Sequence, residues 1–335
     1  MTPAASNGPR CPAAGFARYE FSPAAPVPCA FAFPRLGLPP DSELTVFSAS
    51  DPANSRGPFS GAFVASFGEF WTPTIYTDDI YLEYFLPERH DHQDAAFALH
   101  PTGVLNQYRS RFTNPSGAEE TVSCHLDAMC YPGVSGLRDG VGALAFVDNL
   151  LPYGFFCSGA MLNRSPADFT RLFMTATHCG VSAAVANTVE VTWLWQTDYC
   201  AGTVPDPNTL PQSLGATVLV RDVTTDWTLM GLQNGEPAQT LFEGWDANHW
   251  TNMSGAVSIS HPQGSYKRVA FGIVLDDHGA RPNPAGGNAC IAGNAYSVEF
   301  WSGNGLTEPG SSGHPSLTGW GECTVRKVAQ QRQLV

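Results

Sequence analysis

Three short segments in the second half of the chain carry the residue types of acyl transfer. FMTATHCG, Phe173 to Gly180, reads as an apolar strand that stops in a small-residue turn presenting His178 beside Cys179. TTDWTLMGL, Thr224 to Leu232, opens an apolar strand on a single carboxylate, Asp226. In TEPGSSGHP, Thr307 to Pro315, Ser312 sits between Gly310 and Gly313, in a turn too tight for bulky side chains. A serine hydroxyl is a poor nucleophile at neutral pH, so it needs a neutral imidazole within hydrogen-bond reach to take its proton. The imidazole in turn needs a buried carboxylate to fix its tautomer and stabilise the imidazolium that forms. Gly310 has a second use. Two positions before the serine, it lets its own N–H and that of Ser312 point at one spot, an oxyanion hole whose donors are worth about 2.7–4 kcal/mol each.

Other hydrolase designs lack support. No serine has glycines at both −2 and +2, as a G-x-S-x-G elbow needs, and no HExxH zinc motif is present. Within the first domain, ERHDHQD, Glu88 to Asp94, is the one dense polar cluster that could hold a metal, with His90 and His92 two apart. Spacing specifies no third ligand, so the segment reads as a solvated loop without function.

The elements that must position these residues read as β. The chain has 335 residues, room for about two domains at roughly 150 each. Hydrophobic residues make up 43% and charged ones only 14%, with 33 Gly and 27 Pro. That composition is too apolar for a disordered chain and turn-rich enough for a mainly β protein. Short runs at Cys29 to Phe33, Leu44 to Phe47, Gly61 to Phe67 and Ile80 to Phe85 predict a small β-sandwich-like first domain. Strand-like runs return at Val189 to Trp195, Gly215 to Val220 and Ala295 to Trp301. The organisation read from this is a mobile tail over 1–15, an N-terminal β domain over 16–112, a linker TNPSGAEE over 113–120 and a second domain over 121–335.

A formal net charge of −13 without any Lys/Arg cluster argues against nucleic acid as a partner. No apolar run approaches the ~18 residues of a membrane span. MTPAASNGPR lacks the regions of a signal peptide, so export is directed otherwise or this start is not the natural one. Nine cysteines without a CxxC pair point to disulfides and an oxidising, secreted location, and the odd count leaves at least one unpaired or bonded to another chain. The sequons at Asn163 and Asn252 are compatible with a secreted surface.

With these residues in view, the sequence resembles the chymotrypsin-fold serine proteases, and among them the bacterial lysyl endopeptidases. TATHC is similar to that family's TAAHC signature, and GSSGHP stands where it has GDSGGP or GSSGSP. More specific are SCHLDAMC (123–130), CSGAMLN (157–163), WQTDYC (195–200), FEGWD (242–246), HPQGSYKR (261–268) and LTEPGSSG (306–313), all in the family's order. FGEFWTPTI (67–75) resembles, more loosely, the β-rich region that precedes some of these catalytic domains. The resemblance implies a trypsin-like double β-barrel, His178 as general base, Asp226 as its orienting partner, Ser312 as nucleophile, and Gly310 and Ser312 as the oxyanion donors. It also implies disulfides Cys157–Cys179 and Cys130–Cys200, the first closing a 22-residue loop worth about 3 kcal/mol.

After Ser312 the family continues into a strand and a Gly-rich wall of the specificity pocket. Here SLTGWGECTVRKVAQQRQLV offers no Gly-Gly wall, leaves the second barrel incomplete, and has no counterpart of the aspartate that selects lysine. His314 replaces a small residue, and Cys323 stands as a substitute partner for Cys124. Lysine occurs only at Lys267 and Lys327, a scarcity that compositional bias explains better than avoidance of self-cleavage. The leading reading is a secreted serine endopeptidase acting on protein or peptide substrates without metal or cofactor, its first domain a prosegment or accessory module. The alternative is a catalytically impaired homologue that keeps the scaffold for binding. On the leading reading Ser312 takes a fluorophosphonate, while peptides are cleaved weakly for want of the pocket wall.

Overall fold

The structure is a computed structural model, and it describes residues 14–21, 29–33, 38–77, 79–87, 90, 103–106, 125–147, 154–166, 168–223, 226–244, 255–276, 295–300, 304–313 and 324–325. The chain divides into two compact units. One is Met1–Ser110 with Pro207–Thr209, and the other is Arg111–Asp206 with Leu210–Val335. The proposed linker at 113–120, His92, His314 and the cysteines at 11, 124, 290 and 323 lie outside the described residues.

The first unit holds β1 (Ala14–Phe21), β2 (Cys29–Phe33), β3 (Glu43–Ser48), β4 (Ser55–Ser60), β5 (Phe70–Trp71), β6 (Ile80–Pro87) and β7 (Gly103–Asn106). They form a four-stranded sheet ordered β1-β6-β3-β4 and a three-stranded sheet ordered β5-β2-β7. In β6 the alternation IYLEYFLP buries Ile80, Leu82, Tyr84 and Leu86 and turns the intervening residues outward, the period of 2 that a half-buried strand requires. These side chains share one core with Phe31 and Phe33 of β2 and Phe70 of β5. The run from Gly61 to Phe67, expected as a strand, is instead a short helix, α1 (Gly61–Ala65). Ser60 caps it by accepting the Phe63 N–H, and Val64 packs inward while Phe63 meets Phe67 edge-on four residues along. Helical spacing of apolar residues behind a serine cap outweighs the β preference of Phe and Val here. His90 pairs with Asp41 at 3.0 Å, and among the described residues no group of three His, Cys, Asp or Glu is placed to hold a metal ion.

The second unit holds β8 (Leu126–Asp127), β9 (Val141–Val147), β10 (Gly154–Leu162), β11 (Leu172–Thr175), β12 (Glu190–Thr192), β13 (Gln212–Leu214), β14 (Ala216–Asp222), β15 (Trp227–Leu232), β16 (Gly255–Ser260), β17 (Arg268–Asp276), β18 (Ala295–Phe300) and β19 (Thr324–Val325). Seven of them make an antiparallel sheet ordered β13-β12-β9-β10-β11-β15-β14, and the others a sheet ordered β16-β17-β18-β19 with β8 on β17. β9, VGALAFV, is buried on both faces through Phe146, as a strand between two packed layers must be. Leu144, Phe146, Met161, Phe173, Trp193 and Met230 form the core of the larger sheet. Val141 and Ala160 pack instead with Ile259, Val269 and Ala128, so a second core spans both sheets. Cys130 is bonded to Cys200 and Cys157 to Cys179.

One buried cation stands out. Lys267 is fully buried, its Nζ donating to Gln196 Oε1 at 3.2 Å. Burial pulls its pKa down to about 7; Arg138 adds to that, and Asp139 and Glu243 oppose it. Between that value and the ordinary 10.5 the unfolded chain holds the extra proton, so this group makes stability rise with pH over that window. Below it both states are protonated and the cost of the buried charge is fully felt. Denaturant unfolding of Lys267→Met against wild type is therefore expected to show a stability difference, variant minus wild type, that falls as pH is raised from 7 toward 10. A difference that does not vary with pH would contradict the buried-cation reading.

Candidate active site

β11 ends at Thr175, and the chain turns through a single 3-10 turn, Thr177–Cys179, closed by Gly180 at φ 96°. The turn leaves His178 exposed between buried Thr177 and Cys179. Asp226 is the residue before β15, at φ 58°, a left-handed conformation that Asp adopts more readily than most side chains. Bent this way, its carboxylate makes two bonds to one residue. Oδ1 accepts the His178 backbone N–H at 2.8 Å, and Oδ2 lies 2.5 Å from His178 Nδ1. A carboxylate only accepts, so the shared ring proton sits on Nδ1 and the Nε2 lone pair is left for another donor.

β-ladder contacts hold the two loops together. β11 pairs with β15 from Leu172↔Gly231 to Thr175↔Thr228, which brings the strand end before His178 alongside the strand start after Asp226. The Thr177 hydroxyl then lies 2.7 Å from the Trp227 carbonyl, 3.0 Å from that of Asp222 and 3.1 Å from the Thr228 hydroxyl, with Thr177 N–H donating to Asp226 O at 3.2 Å. Sequence reasoning assigned Thr177 no role. The sequence carries no signal for it, because its acceptors are backbone carbonyls, those of Asp222 and Trp227.

The third segment closes onto the same place. Ser312 is buried, its carbonyl accepting the Ser158 N–H at 2.7 Å and lying 3.8 Å from the sulfur of Cys179, the neighbour of His178. Gly313 sits at φ 95° with no room for a side chain, because a Cβ there would overlap Thr175 Oγ1 and the Ser158 carbonyl oxygen. Gly310, at φ 97°, is walled by His261 O and by the backbone nitrogens of Gln263 and Gly264. Glu308 O accepts the Ser311 N–H at 2.9 Å and closes the turn between them. The Cys157–Cys179 bridge ties β10 to the His178 turn, and Ser158, next along β10, ties that strand to the Ser312 turn. His178 and Asp226 thus pair at the ends of β11 and β15, and the Gly310–Gly313 turn is held against the middle of β10 and the sulfur of Cys179. Such a constellation can pass a proton from a serine to an imidazole held by a carboxylate.

The sequence profile described as "Lysyl endopeptidase, C-terminal domain" matches residues 118–327, more than half of the chain. The chain belongs to this family. A lysyl endopeptidase of Pseudomonas aeruginosa is 28% identical over 268 residues, covering 75% of this chain. The chain spans 56% of that relative's length. Among solved structures, the Rv3671c protease of M. tuberculosis in its active form shares 14% identity at a TM-score of 0.38, over 61% of this chain and 81% of the other. Deg5 shares 13% at 0.37, over 59% and 86%. The all-β, trypsin-like fold class expected from the sequence holds for this lysyl endopeptidase family member.

Proposed function

We propose that this lysyl endopeptidase family member is a secreted serine endopeptidase. The observation that supports it best is the double engagement of His178 by Asp226 beside the turn that carries Ser312. Ser312 Oγ attacks the scissile carbonyl carbon as its proton passes to His178 Nε2, and Asp226 stabilises the imidazolium. The negative charge on the former carbonyl oxygen is held by the N–H groups of Gly310 and Ser312. Collapse breaks the C–N bond, the amine leaving with the proton from His178, and water then attacks the acyl-serine by the same route in reverse. Two disulfides support an oxidising compartment.

Cleavage after Lys is the specificity to test first, since the Pseudomonas relative is named for it. Purified chain and Ser312→Ala are incubated with matched chromogenic peptides ending in Lys, Arg, Phe or Ala. Turnover of at least one peptide by wild type alone supports the endopeptidase. No turnover of any peptide by wild type, or equal turnover by both, overturns it.

A further inference from the structure

The oxyanion donors need orienting, and one buried side chain stands where that is done. Because the peptide unit is planar with its C=O and N–H opposed, tying down a carbonyl sets the direction of the next residue's N–H. The Pro309 carbonyl accepts the Gln263 N–H at 2.7 Å, which aims the Gly310 N–H away from the His261–Gly264 turn. The Gly310 carbonyl accepts from Ser158 Oγ at 2.9 Å, fixing the Gly310–Ser311 peptide that lies between the two donor N–H groups, while that peptide's own N–H, on Ser311, is spent on Glu308 O. The same Ser158 Oγ accepts the His261 N–H at 2.9 Å, and the Ser158 N–H holds the Ser312 carbonyl.

Ser158 is fully buried and uses its N–H, its C=O and both roles of its hydroxyl, the C=O receiving Thr175 Oγ1 at 2.9 Å. Its partner turn is itself held: His261 stacks on Trp195 at 5.6 Å and 12°, and its Nδ1 lies 2.9 Å from Ser265 O. We propose that Ser158 is a positioning residue for the oxyanion hole, its hydroxyl bridging the His261 turn to Gly310 so that the Gly310 and Ser312 N–H groups converge. The sequence singled out CSGAMLN and HPQGSYKR without giving Ser158 or the turn a role, and this bridge joins them. It rests on the serine endopeptidase reading, and deepens it.

Without the hydroxyl, the Gly310 carbonyl loses its donor and the His261 N–H its acceptor, so the Gly310–Ser311 peptide is held from one side only, through the Ser311 N–H. The loss falls on charge developed in the transition state and not on ground-state binding, so kcat should fall while KM holds. A misplacement near 1 Å costs roughly 10²-fold. The test compares wild type, Ser158→Ala and Ser158→Thr by kcat per active site, with sites counted by stoichiometric fluorophosphonate titration. The expected result for Ser158→Ala is a drop in kcat per titrated site of about 10²-fold with KM within threefold, and recovery of most of it in Ser158→Thr, which restores the hydroxyl. An unchanged rate per site, whether all or only a fraction of the sites titrate, overturns the positioning role, because a merely structural residue loses sites and not rate per site. Wild type that neither turns over nor titrates would instead overturn the endopeptidase reading beneath it.

Discussion

Ser312→Ala is expected to lower kcat for peptide cleavage by about 10⁶-fold, with KM nearly unchanged. Alanine removes only the attacking oxygen. Gly310 keeps its φ of 97°, the Ser158 N–H still meets the residue 312 carbonyl, and His178 stays bonded to Asp226, so substrate binding and the oxyanion donors survive. Because Ser312 is buried against β10, the smaller side chain leaves folding intact, and a thermal unfolding midpoint within a few degrees of wild type checks this. Steady-state kinetics on the best peptide is the measurement. A loss of less than about 10²-fold, within the reach of a single hydrogen-bond donor, would show that the bond is broken by some other group.

Asp226→Asn is expected to cost about 10⁴-fold in kcat at neutral pH. The asparagine oxygen can still accept the His178 backbone N–H in place of Oδ1, and the side chain has the same shape. Its amide nitrogen then faces Nδ1 and donates, which forces the ring proton onto Nε2. That nitrogen is the one required to take the serine proton, so the histidine is held correctly in place and in the wrong tautomer. Thr177, whose hydroxyl meets the Trp227 carbonyl beside this residue, keeps the loop in position, so a collapse of structure is not the cause. Kinetics with a measured pH profile decides: activity within tenfold of wild type at pH 7 would remove Asp226 from the mechanism.

The pairing of His178 with Asp226 was legible because acyl transfer would demand rare combinations, a His in a small-residue turn and a lone carboxylate at a strand start, and the same demand singled out the Ser framed by glycines. Strands such as Ile80–Pro87 were legible because half-burial writes a period of 2 into the sequence. The helix at Gly61–Ala65 was not, since five residues of Gly, Ala, Phe and Val carry too little periodicity to separate helix from strand, and only the Ser60 cap and the packing of Val64 decide it. Ser158 and Thr177 were missed for a different reason. Their work is done by hydrogen bonds to backbone carbonyls 45 or more residues away, and a carbonyl leaves no mark in the sequence. Lys267 appeared as one of two lysines, and its burial against Gln196 is a property of the fold alone.

Covalent labelling tests the catalytic centre most directly. The native chain is treated with a fluorophosphonate at neutral pH, digested, and mapped by mass spectrometry beside Ser312→Ala. One adduct per chain on the peptide containing Ser312, absent from the variant and slowed about 10⁴-fold in Asp226→Asn, is the expected result. A wild-type chain that takes no label, or an adduct that persists when Ser312 is alanine, would contradict the assignment of His178, Asp226 and Ser312 as one catalytic unit.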